Sequence, residues 1–473
     1  HIDTIIGLPA NIFFGTGIPT IIMVLKQKRP NTDVLIIDAS KGFEKVGKNN
    51  KLRACDIRKI VDTVEKRATI DKFSRKVSRD EIRENDYNLN IPRYVDSSEK
   101  PESWDIYASM FGGIPKSELD EFEEYWQAFP NLKQDLFKTD NGAYYNVRVD
   151  NIKNTVKAHS DISAFTNHYI SAFNGFDGWL KTELLVNMET LNISKEETVL
   201  SSDIFARLND IPLVNAYEAY QILDNDWQNI AVDLEIIQTE GFDATKQVDP
   251  KMVVKKKNNK EVEEQDGWIG HILPFDIVQK RYFTSELETL TADEERLSSI
   301  SGLYEEKLES LPEEEKEKDF VNDDKTAFVW AEVKKAIKAK DAEPDVLAIL
   351  KEVFALNEEE KALKKQIKQQ FEEIHLRTKS TIEELNDEQV NELLYDKWIE
   401  PLTTGLNKLP ETIVNDFAAK LEKLASKYDT TLSQVDSEIK QAEQELYTML
   451  NDLEGDEYDM QGIKELMKML GGV

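Results

Sequence analysis

The chain has 473 residues and a formal net charge of −31, and 40% of its residues are hydrophobic. This length predicts several domains with real cores, and no window holds the roughly 18 uncharged apolar residues that a membrane span requires. The single cysteine, Cys55, excludes intrachain disulfides and cysteine-based metal sites, and it fits a reducing cytoplasm.

The charge is unevenly distributed along the chain. Residues 1–95 carry 18 Lys+Arg against 12 Asp+Glu, a net charge of +6, whereas the remaining 378 residues carry 42 against 79, a net charge of −37. The acidic total argues against a nucleic-acid binder. The change of sign instead indicates one surface that faces an anion, unless the acidic helical faces are simply solvated.

The first ten residues, HIDTIIGLPA, lack the basic segment and cleavage site of a signal peptide. They also lack an initiator Met and run almost directly into an apolar stretch. We therefore expect residue 1 to be an internal point of a longer protein.

Residues 1–95 are predicted to form an α/β domain. Apolar, β-branched runs at 3–8, 18–25 and 34–37 are bounded by Pro, Gly or charged residues, which is typical of buried strands. The connection between the second and third runs is short, basic and turn-like, so these strands are predicted to be antiparallel neighbours. A helix is predicted over 53–66, with a buried face formed by Ile57, Ile60, Val61 and Val64.

Residues 96–283 are predicted to be mixed and mostly helical. Ser117 begins a predicted helix that extends to Phe129, with Asp120 three residues on as a weak capping partner. A hairpin is predicted near 251–272, with Lys-Asn-Asn-Lys at its tip. The basic tip is either a solvated loop or a DNA contact, and charge runs usually only solvate.

Residues 284–473 show the pattern of consecutive helices. The clearest apolar series alternates steps of three and four residues from Ile413 to Leu453, and it predicts one long, coiled-coil-like helix. Residues 455–462 break this helix, and a last amphipathic helix is predicted over 463–470. A long apolar seam needs a partner, which is either another helix of this chain or another subunit.

Two glycine patterns suggest cofactor loops but lie in the wrong context. Residues 14–17 (FGTG) resemble the F-x-G-x-G loop of nucleoside-binding folds, yet a strand-like run follows them where a helix is required. Residues 42–49 differ from a phosphate-binding P-loop at one position, because Asn49 stands where a Ser or Thr hydroxyl must bind Mg²⁺. A P-loop-like nucleotide-binding protein stays as an alternative.

Other catalytic patterns are missing from the sequence. The five histidines are scattered without H-x-x-x-H or H-E-x-x-H spacing, so the sequence predicts no metal site. No G-x-S-x-G nucleophile elbow occurs. Cys55 lies early in a predicted helix beside no obvious base, which favours burial over a nucleophilic role.

Four sequence blocks carry a resemblance that is more specific than either glycine pattern. They are residues 6–20 (IGLPANIFFGTGIPT), 37–40 (IDAS), 48–52 (KNNKL) with Asp56-Ile57, and 87–95 (YNLNIPRYV). In this order and spacing they resemble the modification subunits of type I restriction–modification systems. Residues 111–116 (FGGIPK), Tyr125-Trp126 and 396–398 (DKW) also look like that family. The resemblance is strong over residues 1 to about 140 and loose beyond them.

The resemblance implies a DNA methyltransferase that transfers a methyl group from S-adenosylmethionine to N6 of adenine. In that fold the strands at 3–8, 18–25 and 34–37 would be the fifth strand and an antiparallel pair that closes a Rossmann-like sheet. The family's cofactor loop in its proper context and its N-P-P-[FY] adenine loop do not occur in the sequence, and both are expected upstream of residue 1. Because that adenine loop holds the flipped base, we expect this chain alone to be inactive.

The resemblance also implies which residues touch DNA. An aromatic residue after the fifth strand stacks on the flipped adenine, and Phe13 or Phe14 matches it here, with Asn11 shaping the same loop. In the alternative, both phenylalanines belong to the core. Cations near the sheet edge are candidates for phosphate contacts, which position DNA without reading its sequence, unless they lie in a solvated loop. These candidates are Lys41, Lys45, Lys48, Lys51, Arg53 and Arg93.

The acidic helical remainder is expected to serve assembly. Members of the family assemble as two modification subunits on one specificity subunit, which reads the DNA sequence, and they can add restriction subunits. The implied partners are therefore both of these subunits, a second modification subunit and double-stranded DNA, with no membrane. Docking to the specificity subunit is expected at residues 413–470. An alternative from a different class of function is that the chain is a non-catalytic helical scaffold whose α/β part is a degenerate remnant.

Overall fold

A computed structural model describes residues 1–13, 15, 17–98, 102–139, 142–257, 260–339 and 342–469. Its strands are β1 (Ile2–Gly7), β2 (Ile21–Leu25), β3 (Val34–Asp38), β4 (Glu44–Val46), β5 (Asn49–Lys51), β6 (Ser74–Val77), β7 (Ile114–Pro115), β8 (Phe137–Thr139), β9 (Tyr144–Val147), β10 (Val248–Lys257) and β11 (Lys260–Gly270).

Helices make up most of the remaining chain. The α-helices are α1 (Ala54–Lys66), α2 (Arg79–Glu84), α3 (Ile106–Phe111), α4 (Lys116–Leu119), α5 (Glu123–Ala128), α6 (Leu132–Leu136), α7 (Ile152–Ala158), α8 (Ser160–Ala172), α9 (Phe176–Leu180), α10 (Ile193–Leu208), α11 (Ala216–Glu240), α12 (Phe275–Tyr282), α13 (Thr284–Glu309), α14 (Trp330–Ala339), α15 (Pro344–Glu384), α16 (Asp387–Leu394), α17 (Glu400–Lys427), α18 (Leu432–Asn451) and α19 (Glu457–Met469). Short 3-10 helices cover Ile91–Arg93, Asp120–Phe122, Phe242–Lys246 and Glu315–Glu317, and π-helical turns cover Lys181–Val186 and Tyr395–Ile399.

The chain forms two compact units, each assembled from separate stretches of sequence. Unit 1 comprises His1–Asp177, Ser194–Gln228 and Leu402–Val473. Unit 2 comprises Gly178–Ile193 and Asn229–Pro401. Each unit therefore combines parts of more than one of the three regions predicted in chain order. The predicted combination of an α/β part with a largely helical part is confirmed.

A four-stranded sheet in unit 1 has the strand order β2-β1-β3-β6. β1 is parallel to β3 and antiparallel to β2, while β3 is antiparallel to β6. Alternate side chains of β1 and β3 enter two different cores, because successive residues of a strand point to opposite faces. Ile5 and Ile36 pack on one face with Ile91, whereas Ile6 and Ile37 pack on the other. Helical layers thus cover both faces of the central strands.

The predicted pairing of the second strand with the third is wrong. β1 lies between β2 and β3, since the eight residues that connect them easily cross the roughly 10 Å of two strand spacings. The predicted burial of the second strand is also wrong. β2 is the edge of this sheet, and its side chains Ile21, Ile22, Met23 and Leu25 are exposed.

One buried carboxylate ties the start of the sheet together. Asp3 is 3% exposed, and its carboxylate forms ion pairs with Lys26 Nζ at 2.9 Å, Arg29 Nε at 3.0 Å and Arg67 Nη1 at 2.9 Å. Arg29 also donates to the carbonyls of Ile2 and Asp33. This cluster fixes the β2–β3 connection across the beginning of β1.

The predicted helix over 53–66 is confirmed as α1, but its predicted buried face is only partly correct. Ile60 is buried, whereas Ile57 and Val61 are exposed. Asp62 and Thr63 occupy the buried side instead. The polar residues are accommodated because Asp62 accepts hydrogen bonds from Arg58 Nε at 3.0 Å and from the Tyr217 hydroxyl at 3.2 Å.

Two longer predicted helices are interrupted in unit 1. The run 117–129 is divided among α4, a 3-10 turn and α5, and the helix begins at Lys116 after Pro115, so Ser117 is not its cap. The run 413–453 is divided between α17 and α18. Thr431 caps α18 by accepting from the Gln434 amide, and so begins a new helix.

The two halves of the run 413–453 differ in their surroundings. Phe417 in α17 is fully buried and stacks on Tyr125 with ring centroids 4.2 Å apart. The Tyr169 hydroxyl donates to the Leu406 carbonyl at 2.8 Å, which fixes α17 to α8. α17 is therefore part of the core of unit 1. By contrast, the apolar series from α18 onward is largely exposed. Its exposed members are Leu432, Ile439, Leu446, Met449 and Leu453.

Unit 2 is mainly helical and contains the predicted hairpin. β10 and β11 pair antiparallel as predicted near 251–272, although Asn258 and Asn259 of the predicted tip lie outside the described residues. α13 and α15 run alongside each other, joined by the Arg296–Glu359 ion pair at 2.7 Å. Among the residues that the structure describes, no helix is both long and apolar enough to cross a membrane.

A buried ion pair lies at the π-helical turn of unit 2. Asp233 is 7% exposed, and its Oδ2 accepts from Lys397 Nζ at 2.5 Å and from Trp398 Nε1 at 2.8 Å. Lys397 also donates to the Ile272 carbonyl at 2.6 Å. The 396–398 sequence thus anchors this turn to α11, where a single carboxylate oxygen receives two donors.

Candidate nucleic-acid interface

The loop that follows β1 presents an aromatic side chain to solvent. β1 ends at Gly7. The loop begins at Leu8, whose amide donates to the Thr20 carbonyl at 2.9 Å and so ties the two ends of the loop together. Phe13 is 56% exposed, so the alternative that placed it in the core is wrong. Phe14 lies outside the described residues. Asn11 adopts a left-handed backbone conformation with φ 55°, which Asn tolerates better than most residues.

Asn50 holds this loop in place, a role that no sequence motif predicted. Its side-chain Nδ2 donates to the Ala10 carbonyl at 2.8 Å, and its backbone amide donates to the Asn11 carbonyl at 2.9 Å. Asn50 belongs to β5, so these bonds join the Phe13 loop to the basic segment that follows β3. The only sequence signal for this role is its place in the 48–52 block.

The basic segment is a small hairpin. β4 and β5 pair antiparallel, with Val46 opposite Asn49, and Gly47 has a positive φ of 63° in the tight turn between them. A P-loop must lead into the amino end of a helix, whereas Lys48 here lies at a hairpin tip and β5 follows it. The P-loop alternative is therefore wrong.

The hairpin carries exposed positive charge. Lys41, Lys45 and Lys48 are exposed, and no ion pair of theirs is found within the described residues. Lys51 is exposed as well, but its Nζ lies 3.3 Å from Glu44 Oε1. Three lysines are thus available to an anion beside the loop that presents Phe13.

Arg53 differs from these lysines because carboxylates already match its charge. Its Nε and Nη2 each donate to Asp56 at 3.0 Å, and its Nη1 lies 3.3 Å from Glu218 Oε2. The hydrogen bond to Asp56 is the main cause that raises the pKa of Arg53, against the effect of its partial burial. Arg53 therefore serves as the anchor of the amino end of α1.

Arg93 makes no described contact with the residues of the basic hairpin. It ends the 3-10 helix Ile91–Arg93, and its exposed side chain donates from Nη1 to Asn85 Oδ1 at 3.1 Å. The same short helix brings Ile91 against the sheet, where a Cβ on Gly7 would lie 2.7 Å from Ile91 Cδ1. This block therefore packs closely against the end of β1, while the structure does not link Arg93 to the hairpin.

Two further titratable groups near the sheet have structural roles. Asp38 at the carboxyl end of β3 is buried and accepts from the Ser40 amide at 3.0 Å and from the Ser97 hydroxyl. Cys55 is buried, as the sequence predicted, and this burial is the main cause that raises the pKa of its thiol to about 11, so the thiol stays protonated at neutral pH. Within the described ranges, no group of three or more His, Cys, Asp or Glu side chains is arranged to hold a metal ion.

The amino-terminal segment is similar to a known protein family. Residues 1–103 match the sequence model of the N-6 DNA Methylase family. This segment contains the sheet, the Phe13 loop and the basic hairpin.

The names of individual relatives point to a narrower group of proteins than the family model does. The chain is 41% identical over 106 residues to the type I restriction enzyme MpnII methylase subunit of Mycoplasma pneumoniae, a match that covers 22% of this chain and 20% of the relative. It is 40% identical over 129 residues to the MjaVII methylase subunit of Methanocaldococcus jannaschii, covering 26% and 21%. The predicted resemblance to type I modification subunits is confirmed. The matches span about a fifth of the length of each relative.

A solved structure gives a match of similar extent. The methyltransferase subunit of a type I restriction–modification system from Streptococcus thermophilus is 56% identical over 20% of this chain and 21% of that chain, with a TM-score of 0.20.

The described residues do not fit a complete S-adenosylmethionine site. Gly15 and Gly17 lead into β2, which is antiparallel to β1, so this loop does not open a helix as a nucleoside-binding loop must. Both carboxylate oxygens of Asp38, the acid at the end of the parallel strand β3, are already engaged by Ser40 and Ser97.

Proposed function

We propose that the chain belongs to the modification subunit of a type I restriction–modification enzyme. The observation that carries this proposal is the match of residues 1–103 to the N-6 DNA Methylase family. The whole protein would transfer a methyl group from S-adenosylmethionine to N6 of adenine in DNA, at a site selected by a specificity subunit. Restriction subunits, a second modification subunit and a cytoplasmic location belong to the same proposal.

In this proposal the four-stranded sheet is part of a larger, Rossmann-like methyltransferase sheet. β2 supports it, because apolar side chains are exposed along a strand whose outer edge has no partner strand within the described residues. Long exposed edges of this kind are usually covered or paired in a native protein. Cofactor binding and the adenine loop are assigned to a part of the protein other than these residues.

The Phe13 loop and the basic hairpin would form one side of the DNA site. Phe13 would stack on the flipped adenine, Asn11 would shape the loop, and Asn50 would hold it. Lys41, Lys45 and Lys48 would contact DNA phosphates, with a smaller share for Lys51 because of Glu44. Arg53 is left out because Asp56 and Glu218 match its charge, and Arg93 remains a more distant candidate.

Replacing Phe13 tests this assignment in the full-length subunit bound to its specificity subunit. Stacking of one base on an aromatic ring contributes about 1–3 kcal/mol, so we expect Phe13→Ala to lower kcat/KM for DNA methylation by roughly tenfold or more. The measurement is transfer of a labelled methyl group to a duplex. Phe371→Ala, at a phenylalanine that is 61% exposed in unit 2, is the matched control and should keep wild-type activity.

The outcomes separate the site from the function. Equal activity of Phe13→Ala, Phe371→Ala and wild type would show that Phe13 does not stack on the base. No methylation by the complete wild-type complex would instead favour the non-catalytic scaffold. Methylation of a base other than adenine would remove the N6 assignment.

We further propose that α18 and α19 dock to the specificity subunit. The apolar series Leu432, Ile439, Leu446 and Met449 keeps coiled-coil spacing and is exposed, in contrast to the buried series of α17. The exposed seam favours a partner helix that this part of the chain does not supply. Because Phe417 is in the core of unit 1, the docking segment begins after the break at Thr431.

Point changes on this seam test docking without removing core residues. We expect Ile439→Glu to weaken co-purification with the specificity subunit at least tenfold, because a charge enters an apolar helix interface. Glu438→Lys, on the adjacent exposed position, is the control and should bind as wild type. Full recovery of the specificity subunit by Ile439→Glu, with the helix content unchanged, would contradict docking through α18.

A further inference from the structure

Helix α11 supports the amino end of α1, which begins shortly after the basic hairpin. The first two turns of α11 contact α1 at three points, through residues that share one helix face. Glu218 Oε2 lies 3.3 Å from Arg53 Nη1, and the Tyr217 hydroxyl donates to Asp62 at 3.2 Å. The third contact is made by Gln221, whose side chain bonds the backbone of α1.

The amino end of α1 uses an acceptor from outside the helix. The first four backbone N–H groups of a helix have no acceptor within it, and a Ser, Thr, Asp or Asn side chain at the N-cap commonly supplies one. The N-cap here is Arg53, whose side chain contains only hydrogen-bond donors. The Cys55 amide instead donates to Gln221 Oε1 at 3.0 Å, across 166 positions of sequence. Gln221 therefore caps α1 from a distant part of unit 1.

The side chain of Gln221 is held in the orientation that this bond requires. Its Nε2 donates to Asn225 Oδ1 at 2.8 Å and to Asp224 Oδ2 at 3.3 Å. An ionised carboxylate only accepts hydrogen bonds, so the amide nitrogen of Gln221 must face Asp224. A backbone N–H only donates, so the amide oxygen must face Cys55. A side chain that is already fixed in this way loses little further freedom when it caps α1.

The basic hairpin needs support because none of its strand residues is buried. All residues of β4 are exposed, and those of β5 are exposed or half-buried. A two-stranded hairpin is at best marginally stable by itself in water. Asn50 joins the hairpin to the Phe13 loop, and the chain after β5 continues almost directly into α1. The position of the amino end of α1 therefore influences where Lys45 and Lys48 lie.

We propose that Gln221 is a positioning residue of the DNA site, and that its cap on α1 keeps the lysines of the basic hairpin directed at DNA phosphates. Gln221 acts through α1 and contacts no DNA itself. Its role rests on the proposed function, because the hairpin lysines contact phosphates only if the protein acts on DNA. It extends the DNA site to α11, which the sequence places more than 150 residues after the hairpin.

The test measures steady-state methylation of a duplex by the full-length subunit bound to its specificity subunit. Gln221→Met keeps the length of the side chain and removes the acceptor. Loss of a typical helix cap corresponds to a factor of about five, so we expect the KM for the duplex to rise about three- to fivefold. Because phosphate contacts bind ground state and transition state alike, kcat should stay within about twofold of wild type. Gln228→Met makes the same chemical change at an exposed position of α11 and should keep the wild-type KM.

The division between KM and kcat separates positioning from stability. A variant that is only less stable contains fewer active molecules, so its apparent kcat falls while its KM is unchanged. Gln221→Glu combined with Asp224→Asn keeps the net charge and an acceptor for the Cys55 amide, while the direction of the bond between positions 221 and 224 is reversed. We expect this double variant to restore the KM to within about twofold of wild type.

The wild-type complex distinguishes failure of this role from failure of the proposed function. If the wild-type complex methylates DNA and Gln221→Met has the same KM as Gln228→Met and wild type, the role of Gln221 is overturned and the proposed function stands. A fall in kcat alone in Gln221→Met would also overturn it, since that result means lost stability. If the wild-type complex methylates no DNA, the proposed function fails and the role of Gln221 fails with it.

Discussion

Replacing Asp233 by Ala is expected to lower the free energy of unfolding of unit 2 by about 3–5 kcal/mol, because breaking a buried pair leaves an uncompensated charge. Among the residues that the structure describes, the Lys397 ammonium would keep only the Ile272 carbonyl as partner, and the Trp398 indole N–H would lose its acceptor. Hydrogen exchange of the α11 amides that follow Asn229 measures this loss locally.

Two further variants separate the buried pair from general effects of substitution. Asp276→Ala removes an exposed carboxylate that lies 3.9 Å from Lys280, and such pairs contribute about 0–1 kcal/mol. Asp233→Leu combined with Lys397→Met should cost less than the sum of the single changes, since it removes both charges. Equal protection in Asp233→Ala and wild type would show that the pair does not hold the π-helical turn.

Replacing Asp3 by Asn is expected to destabilise unit 1 by about 3 kcal/mol at pH 7. The change leaves Arg29 and Arg67 without their shared carboxylate, although Asp33 still contacts Arg67 at 3.1 Å. Urea denaturation measures the difference. Lys26→Gln should change stability by less than about 1 kcal/mol, because its side chain is half exposed at 53%.

The effect of Asp3 should depend on pH in a defined direction. Burial alone would raise the pKa of Asp3, but the hydrogen bond from Lys26 and the charges of Arg67 and Lys26 outweigh it, and the pKa is lowered. Its stabilisation is therefore complete above the unfolded pKa of about 4 and is lost as the pH falls through the folded pKa. Wild type and Asp3→Asn should converge in stability in this acidic range. A constant difference down to pH 2 would contradict the ion-pair explanation.

Local patterns predicted much of the fold. The strands near 3–8 and 34–37 and the helix α1 have strong apolar periodicity and clear boundaries, and the structure places them as predicted. Strand neighbours could not be obtained in the same way. The order β2-β1-β3 depends on which strands are covered on both faces, and this is a property of the tertiary structure.

The break at residues 428–431 was missed for a related reason. The apolar spacing continues through it without change, so periodicity alone predicts one helix. Tyr428 is nevertheless buried, and its hydroxyl bonds Glu118, more than 300 residues away in sequence. That contact and the Thr431 cap end one helix and begin the next.

The sequence predicted which residues belong to the candidate site better than it predicted the hydrogen bonds and ion pairs between them. The aromatic residue and the lysines were found through their place in recognisable blocks. Asn50 was missed because a residue that donates from its side chain to one loop carbonyl and from its backbone to another has no distinctive spacing. Arg53 was included because basic residues look alike in sequence. Asp56 is only three residues away, but its pairing with Arg53 is a matter of side-chain geometry, and Glu218 reaches Arg53 only when α1 and α11 meet.

The discontinuous composition of unit 1 has a consequence for synthesis on the ribosome. Tyr169 and Phe129 emerge long before their partners Leu406 and Phe417, with all of unit 2 translated in between. At about 5–20 residues per second, these aromatic side chains wait on the order of ten seconds or more for the segment that covers them. During that interval Phe129 and Tyr169 lack the α17 segment that covers them, so the nascent chain exposes apolar surface that the folded unit buries.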